Sequence, residues 1–468
     1  MKILVGALLT VAALSAQTPA NWRTVDWKQE QAAILQHYRS LIQIDTSNPP
    51  GNETKAVEYL KKLLEGAGIP TQVFSNDPTR ANLVARIKGN GTRRPLLIMA
   101  HTDVVGVQKE KWPVDPFGAI IKDGYIWGRG SIDDKDKVTA MVTTMLLLKR
   151  NQAKLDRDVI FLAESGEEGT TQVGISFMVE QHFDAINAEF AITEGGGATI
   201  RDGKVVFMNL GTTEKVPRAT RVVVTGTAGH GSVPREDNAL LHLAGAVAKV
   251  GAWETPMRLN DTTRAYFEKL ATISTPEQAA RYNALLDPAK SAAAQAYLKK
   301  NEPARYSMLR TSIVPTIMKG GFRTNVIPSE AEATFDVRAL PDEDMAKLYE
   351  EMKKVINDPA VKIEALTGNM RPAAPPSRLD TEMYRALEAT AKKMYPGITV
   401  LPSMSTGASD MAQLRAKGIP SYGIGPANLE SDALNYGAHG DVERLAESSL
   451  YRFVEFVWNA VTEVVGSK

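Results

Sequence analysis

The chain has 468 residues, enough for two or three domains and a large apolar core. Its 55 basic and 54 acidic residues give a formal net charge of +1, which speaks against nucleic acid or a polybasic membrane contact as partner. The absence of cysteine excludes disulfides, thiolate catalysis and thiolate ligands, so any zinc site must use His and carboxylates.

Met1-Lys2, an apolar run over residues 3–14 and the small pair Ser15-Ala16 form the pattern of a signal peptide over 1–16. The run is too short to span a bilayer, and no other segment is long and apolar enough to do so. The reading predicts an exported protein, periplasmic or secreted, without a membrane span after cleavage. Helices are predicted over 27–44 and 53–65, separated by the turn cluster Asp45-Thr46-Ser47-Asn48-Pro49-Pro50-Gly51. Strands follow at about 70–74, 82–88 and 96–100, then an apolar helix over 138–148. A strand at 158–163, a helix at about 171–182 and a strand at 190–193 come next. After about residue 213 the pattern changes. A strand at 221–226, a helix at 238–250, strands at 311–318 and 331–338, a helix at 342–356 and a strand at 361–366 give a βαββαβ order, which predicts a ferredoxin-like module. Residues 254–310, polar and Ala-rich, read as a helical insertion within it. A Pro-rich linker at 371–376 leads to a helix at 380–394, strands at 398–401 and 421–424, and a C-terminal helix over 441–463.

Polar residues with metal-binding chemistry stand at the ends of the apolar strands. The first such run delivers His101-Thr102-Asp103, the second ends in Glu164-Ser165-Gly166-Glu167-Glu168-Gly169, and the third in Glu194 followed by three glycines. Ligands bind beyond the carboxyl ends of strands in open α/β sheets. Two residues apart in extended chain, His101 and Asp103 point the same way, so Asp103 is placed to accept the spare imidazole N–H. Asp133 lies at a helix start. Of the six His, His37, His182 and His242 fall in helix patterns, whereas His101, His230 and His439 sit at strand ends or in Gly-rich turns. Two His and three carboxylates suffice for two zinc ions, with one of Glu167 and Glu168 as ligand and the other free as a base.

His101-Thr102-Asp103-Val104-Val105, Gly128-Arg129-Gly130 with Asp133-Asp134-Lys135, Glu167-Glu168-Gly169, Glu194 and His439 resemble, in order and interval, the site of a zinc-dependent exopeptidase and deacylase family. That family includes succinyl-diaminopimelate desuccinylase, acetylornithine deacetylase, aminoacylase, glutamate carboxypeptidase and carboxypeptidase S. Residues 112–123 with Trp127-Gly128-Arg129-Gly130, and Thr324-Asn325-Val326-Ile327-Pro328, are most similar to the carboxypeptidase S and N-acyl-amino-acid hydrolase branch. The resemblance implies an α/β fold: a mixed-sheet catalytic domain (21–213 and 371–468) interrupted by a ferredoxin-like lid or dimerisation domain (214–370). It implies two zinc ions, with cobalt or manganese accepted. Asp133 would bridge them, His101 and Glu194 would complete one site, and Glu168 and His439 the other.

The resemblance further implies Glu167 as general base, Asp103 as the residue orienting His101, and a cis peptide between Asp133 and Asp134. Lid residue His230 would donate to the oxyanion, often across a homodimer, and Asn325 and Arg338 would contact the substrate carboxylate or support that contact, a structural ion pair being the equal alternative for Arg338. Three positions depart from the family pattern: Gly106 and Asp136 replace a usual Pro and Gly, and Gly195-Gly196-Gly197 follows Glu194 where Pro is usual. The expected activity is hydrolysis of an amide next to a free carboxylate, as carboxypeptidase or dipeptidase, with N-acyl-amino-acid deacylation as the alternative. A non-catalytic binding protein would have lost a ligand or the base, and none is missing.

Overall fold

The computed structural model describes residues 21–368 and 370–467, so the expected signal segment 1–16 lies outside the described residues. The strands Val159–Glu164, Leu96–His101 and Phe190–Thr193 lie side by side and parallel in a ten-stranded mixed sheet. Successive strand residues face opposite sides, so one apolar run feeds two cores. Leu96, Ile98 and Ala100 pack with the helices Trp27–Ile42, Lys135–Arg150 and Glu447–Val465. Leu97 and Met99 pack on the other face with Ile175, Phe177 and Met178 of the helix Ile175–Gln181. Burial on both faces is why these strands read as continuous apolar stretches.

On one flank Asn82–Ile87 pairs antiparallel with Val159–Glu164, and Thr71–Phe74 pairs antiparallel with Asn82–Ile87. On the other, Ser421–Gly423 runs parallel to Phe190–Thr193, followed by Lys204–Glu214, Gly197–Arg201 and Ala427–Leu429, with Thr399–Ser405 also paired to Lys204–Glu214. The strand Lys204–Glu214 has no counterpart in the sequence reading, because Asn209 and Gly211 break its apolar pattern. Tertiary contact accounts for Gly211: a Cβ there would lie 2.4 Å from the Gly195 carbonyl oxygen. The final helix starts at Glu447 rather than 441, since Arg444–Ala446 first pairs with Tyr125–Trp127.

The second sheet has the order Val361–Ala365, Thr220–Thr225, Glu330–Ala339, Ser312–Gly320, all antiparallel. A fifth, two-residue strand, Val216–Pro217, also pairs with Glu330–Ala339; numbered in chain order, the four longer strands run 4-1-3-2, the ferredoxin-like arrangement that the βαββαβ order predicts. Helices Ala239–Ala252 and Met345–Ile356 cover one face through Leu243, Ala246, Leu348 and Met352 against Val222, Val224, Ala333 and Phe335. The other face is polar, with Arg221 paired to Glu332 and Glu364. The insertion forms helices Asp261–Thr272, Pro276–Ala284, Ser291–Asn301 and Pro303–Ser307. Their Phe267, Leu270 and Leu298 share a core with Leu401 and Met404 of the first sheet, so the insertion fastens the lid sheet to the catalytic one. Among the described residues no helix is long and apolar enough to cross a membrane.

Phe161, fully buried in the larger core, is a direct test of this packing. Phe161→Ala should destabilise the protein by about 3–5 kcal/mol through lost transfer energy and the cavity left behind. A denaturant midpoint unchanged from wild type would contradict that core assignment.

Candidate metal centre and active site

Parallel register sets His101 beside Glu164 at the ends of adjacent strands. The chain then turns at Gly166, whose φ of +77° suits glycine, and presents Glu167 and Glu168. Glu194 leaves the next strand end, directly after Thr193. Asp133 comes from the loop before the helix Lys135–Arg150, and the Asp133–Asp134 peptide is cis. His439, at φ +61°, comes from the loop after the helix Glu430–Asn435.

These side chains converge. Asp133 places Oδ1 3.0 Å from His101 Nε2 and Oδ2 3.2 Å from His439 Nε2. Glu194 Oε2 lies 3.9 Å from His101 Nε2, and Glu168 Oε1 lies 3.0 Å from His439 Nε2. One group of donor atoms, from His101, Asp133, Asp134 and Glu194, falls within 4.8 Å of one another, as does a second from Asp133, Glu168 and His439. Glu167 groups in the same way with His101 and Glu168.

The electrostatics follow from the crowding of carboxylates. Burial raises Glu194 well above the usual carboxylate range, and neighbouring Glu167 and Asp133 add to the rise. Burial also pushes Glu167 up to about 8, against the opposing pull of Arg371. Hydrogen bonds to Asp133 and Glu168 raise His439 to about 10. Burial opposes protonation of His101, but Asp134, Asp103 and Asp133 lift it well above its ordinary value. Nitrogen and oxygen donors arranged around a shared Asp, with carboxylates in excess, suit a pair of divalent cations.

Positioning groups surround this cluster. His101 Nδ1 lies 3.0 Å from the backbone carbonyl of Asp103 and 3.4 Å from its carboxylate, so the backbone is the nearer partner. The Asp103 carboxylate instead accepts from the backbone N–H of Glu167 at 3.2 Å and of Glu168 at 3.1 Å, and from Asn48 Nδ2 at 2.8 Å. It therefore anchors the Glu167-Glu168 loop while lying beside the His101 ring. Asp134 Oδ2 accepts from the His101 backbone N–H at 3.2 Å. The departure at Asp136 is accommodated by Lys137, whose Nζ is 3.2 Å from its carboxylate.

Two residues escaped the sequence reading. Glu443, fully buried, accepts from Arg129 at 2.8 Å and from the backbone N–H groups of Gly130, Ile132 and Asp133 at 3.1, 2.6 and 3.2 Å. Arg129 also donates to the Gly440 carbonyl at 2.7 Å, so Glu443 and Arg129 join the Asp133 loop to the segment carrying His439. Arg371 bonds Glu167 and Asp410. Neither residue lies in a periodic element, and no local pattern marks either.

The lid residues sit apart from this cluster. His230 is exposed, and its Nδ1 pairs with the Ser232 hydroxyl at 2.7 Å. Pairing of Gly229–His230 with Val326–Ile327 brings Asn325 next to it, where Gly231 N–H donates to the Asn325 carbonyl at 2.9 Å. Arg338 forms an ion pair with Asp336 at 2.9 Å. Of the other His, His37 bonds Tyr59, His182 packs on Phe74 and Phe177, and His242 pairs with Asp358.

A mixed sheet that gathers His and carboxylates at its parallel strand ends, with a ferredoxin-like lid inserted, defines a metallohydrolase acting on C–N bonds. The chain belongs to Peptidase family M20/M25/M40, whose profile matches residues 97–463. It is 29% identical over 393 residues to the probable carboxypeptidase S-like 2 of Dictyostelium discoideum, covering 81% of this chain and 74% of that protein. It is 26% identical to the human N-fatty-acyl-amino acid synthase/hydrolase PM20D1 over 93% of this chain and 88% of that one. Mouse aminoacylase-1 is 27% identical over 89% of this chain and 92% of its own length. The fold is shared with the M20 metallo-carboxypeptidase Sso-CP2 of Sulfolobus solfataricus, at TM-score 0.67 and 20% identity, covering 92% of this chain and 99% of that one. It is shared also with a Bacillus subtilis protein described as a dinuclear metal-binding peptidase, at TM-score 0.57 and 17% identity, over 93% and 98% of the two chains.

The charge on His439 gives a pH test in protein stripped of metal by chelator. Its folded pKa of about 10 exceeds the ordinary value of 6.5, so its contribution to stability is full below 6.5 and is lost as pH rises through 10. The melting-temperature gap between wild type and His439→Gln should therefore be widest near pH 6 and close towards pH 10. A gap independent of pH would rule out the charged contact with Asp133 and Glu168.

Proposed function

We propose that this chain is a two-zinc hydrolase that cleaves an amide next to a free carboxylate, as a carboxypeptidase or dipeptidase. The observation that carries the reading is Asp133, whose two carboxylate oxygens face two different His, each accompanied by a further Glu. In this reading His101, Asp133 and Glu194 hold one ion and Asp133, Glu168 and His439 the other, with cobalt or manganese as possible replacements. When bound, the ions supply Lewis acidity, lowering the pKa of water and polarising the scissile carbonyl. Glu167 takes the proton of the attacking water and delivers it to the leaving nitrogen. Asp103 holds the Glu167-Glu168 loop through its backbone N–H groups and faces the His101 ring. His230 donates to the developing oxyanion, and Asn325 and Arg338 bind the substrate carboxylate once the lid closes.

A cavity of about 490 Å3 opens beside Glu194, lined by Gly195, Gly196, Gly197, Tyr266, Met308 and Met404 among others. A Cβ at Gly196 would lie 2.3 Å from the Gly423 carbonyl oxygen, so glycine there lets two strands pass closely, and the insertion helices supply part of the cavity wall. N-acyl-amino-acid deacylation is the second reading, supported by the likeness to PM20D1 and aminoacylase-1; the cavity itself mixes Tyr266, Met308 and Met404 with Asn209, Ser403, Ser405 and Asn428. Parallel assays of dipeptides and N-acyl amino acids on zinc-loaded protein decide between the two readings.

The pattern over residues 1–16 supports export, which N-terminal sequencing of the mature protein tests. The edge strand Ser312–Gly320 supports a homodimer through the lid. Val314, Ile317 and Met318 are about half exposed there, and Leu241 and Phe322 more so.

Asp133→Ala should lower metal content more than any other single ligand change, because it removes a ligand from both ions. Full occupancy in that variant would remove Asp133 from the bridging role. Glu167→Gln should retain two metals per chain and lose turnover by ~10²–10⁴-fold. Near-wild-type kcat would place the base elsewhere, with Glu164 next.

His230→Ala should keep both metals and KM while kcat falls by ~10²–10³-fold, the cost of one oxyanion donor. If His230 acts across a dimer, mixing His230→Ala with Glu167→Gln chains restores part of the activity. A loss without rescue in mixed dimers keeps His230 within its own chain, and unchanged kcat makes it structural.

A further inference from the structure

Where the chain returns from the lid sheet to the catalytic sheet, Arg371 enters the interior, its side chain only 11% exposed. Its Nη2 donates to Glu167 Oε1 at 2.6 Å and to the Glu167 backbone carbonyl at 3.0 Å. Its Nη1 donates to Asp410 Oδ1 at 2.7 Å. One rigid guanidinium thus grips both the side chain and the backbone of a single residue, and ties it to a buried acid on a different loop.

Asp410 is nearly fully buried and faces buried Glu164. Glu164, Glu167 and Asp410 gather around this arginine, and burial raises all three carboxyls above their ordinary values. The remaining cations nearby are otherwise engaged: Arg415 pairs with Glu214 at 2.9 Å, and Lys215 Nζ donates to the hydroxyls of Ser307 and Ser312 at 3.0 and 2.9 Å. The Arg371 carbonyl in turn accepts from Arg218, on the outgoing crossing to the lid, at 2.8 Å. Arg371 therefore sits where both crossings to the lid meet the carboxylate beside His101 and Glu168.

We propose that Arg371 is a positioning residue for catalysis: by holding Glu167 Oε1 and the Glu167 carbonyl, it leaves Oε2 directed to the attacking water. The inference rests on Glu167 acting as the base. The planar guanidinium holds Glu167 Oε1, the Glu167 carbonyl and Asp410 at fixed mutual angles, a geometry that a single ammonium reproduces only in part.

The experiment compares Arg371→Met, Arg371→Lys, Glu167→Gln and the Arg371→Met/Glu167→Gln double variant in the full chain loaded with zinc. Metal content, KM and kcat are measured on the better of a dipeptide and an N-acyl amino acid. Amide hydrogen exchange is measured on the metal-free protein. Arg371→Met should keep two metals per chain and KM, while kcat falls by ~10–10²-fold, a substantial part of what loss of a general base costs. Arg371→Lys should recover part of that loss. The double variant should be no slower than Glu167→Gln alone. In metal-free Arg371→Met, exchange should rise in the peptide covering residues 164–170 and stay unchanged in the central strand Leu96–His101.

Unchanged kcat in Arg371→Met overturns the proposal, as does a loss that tracks lost metal, or a double variant in which the two losses multiply. If Arg371→Met fails to fold, Arg371→Lys carries the test: wild-type kcat and wild-type exchange at 164–170 overturn the proposal, and a kcat loss with intact metal supports it. Failure of the base reading is distinct, since it appears as full turnover in Glu167→Gln with Arg371 intact.

Discussion

Carboxylate crowding at one edge of the catalytic sheet is the constraint on which the rest of the structure depends. Asp133, Asp134, Glu164, Glu167, Glu168 and Glu194 meet around two His, and most of them are shielded from water. Buried charges of one sign are tolerated only where hydrogen bonds, counter-charges or metal ions balance them. Much of the surrounding architecture can be read as the means of doing so. Parallel strands bring three chain segments to the edge, and loop backbones turn their N–H groups towards the acids. Buried Arg129 and Lys137, and the nearly buried Arg371, add counter-charge beside Glu443, Asp136 and Glu167.

Two further buried acids shape the centre by holding its loops. Asp103 accepts from the N–H groups of Glu167 and Glu168, and Glu443 accepts from those of Gly130, Ile132 and Asp133. Each converts a loop, normally the most mobile part of a fold, into a rigid support. Arg129 links the Asp133 loop to the His439 segment, and Arg371 links the Glu167 loop to Asp410. A centre assembled from five separated segments is thus held by cross-links between those segments, rather than by the strands alone.

The lid is joined to the catalytic sheet at two places of different character. At the crossings, polar contacts of Arg218 and Arg371 bind the two passing chains. At the insertion, an apolar core containing Phe267, Leu270, Leu401 and Met404 fastens the lid sheet from the side. The exposed His230 and Asn325 lie together in the lid, on segments joined by a short antiparallel pairing.

By itself the sequence determined the class of fold, the strand ends that carry chemistry and the His and carboxylates that meet there. Apolar periodicity and motif order are local quantities, and strands buried on both faces advertise themselves as continuous apolar runs. The βαββαβ order likewise determined the lid topology, since few pairings of such elements are possible. Only the tertiary structure decided that Lys204–Glu214 is a strand, because its one glycine, Gly211, answers to the backbone of Gly195 and not to a periodic pattern. Only it decided the parts played by Glu443 and Arg371, 310 and 204 residues away from Asp133 and Glu167, the residues that they hold. A hydrogen bond across such a distance has no local signature, since its partners become neighbours only after both sheets have formed.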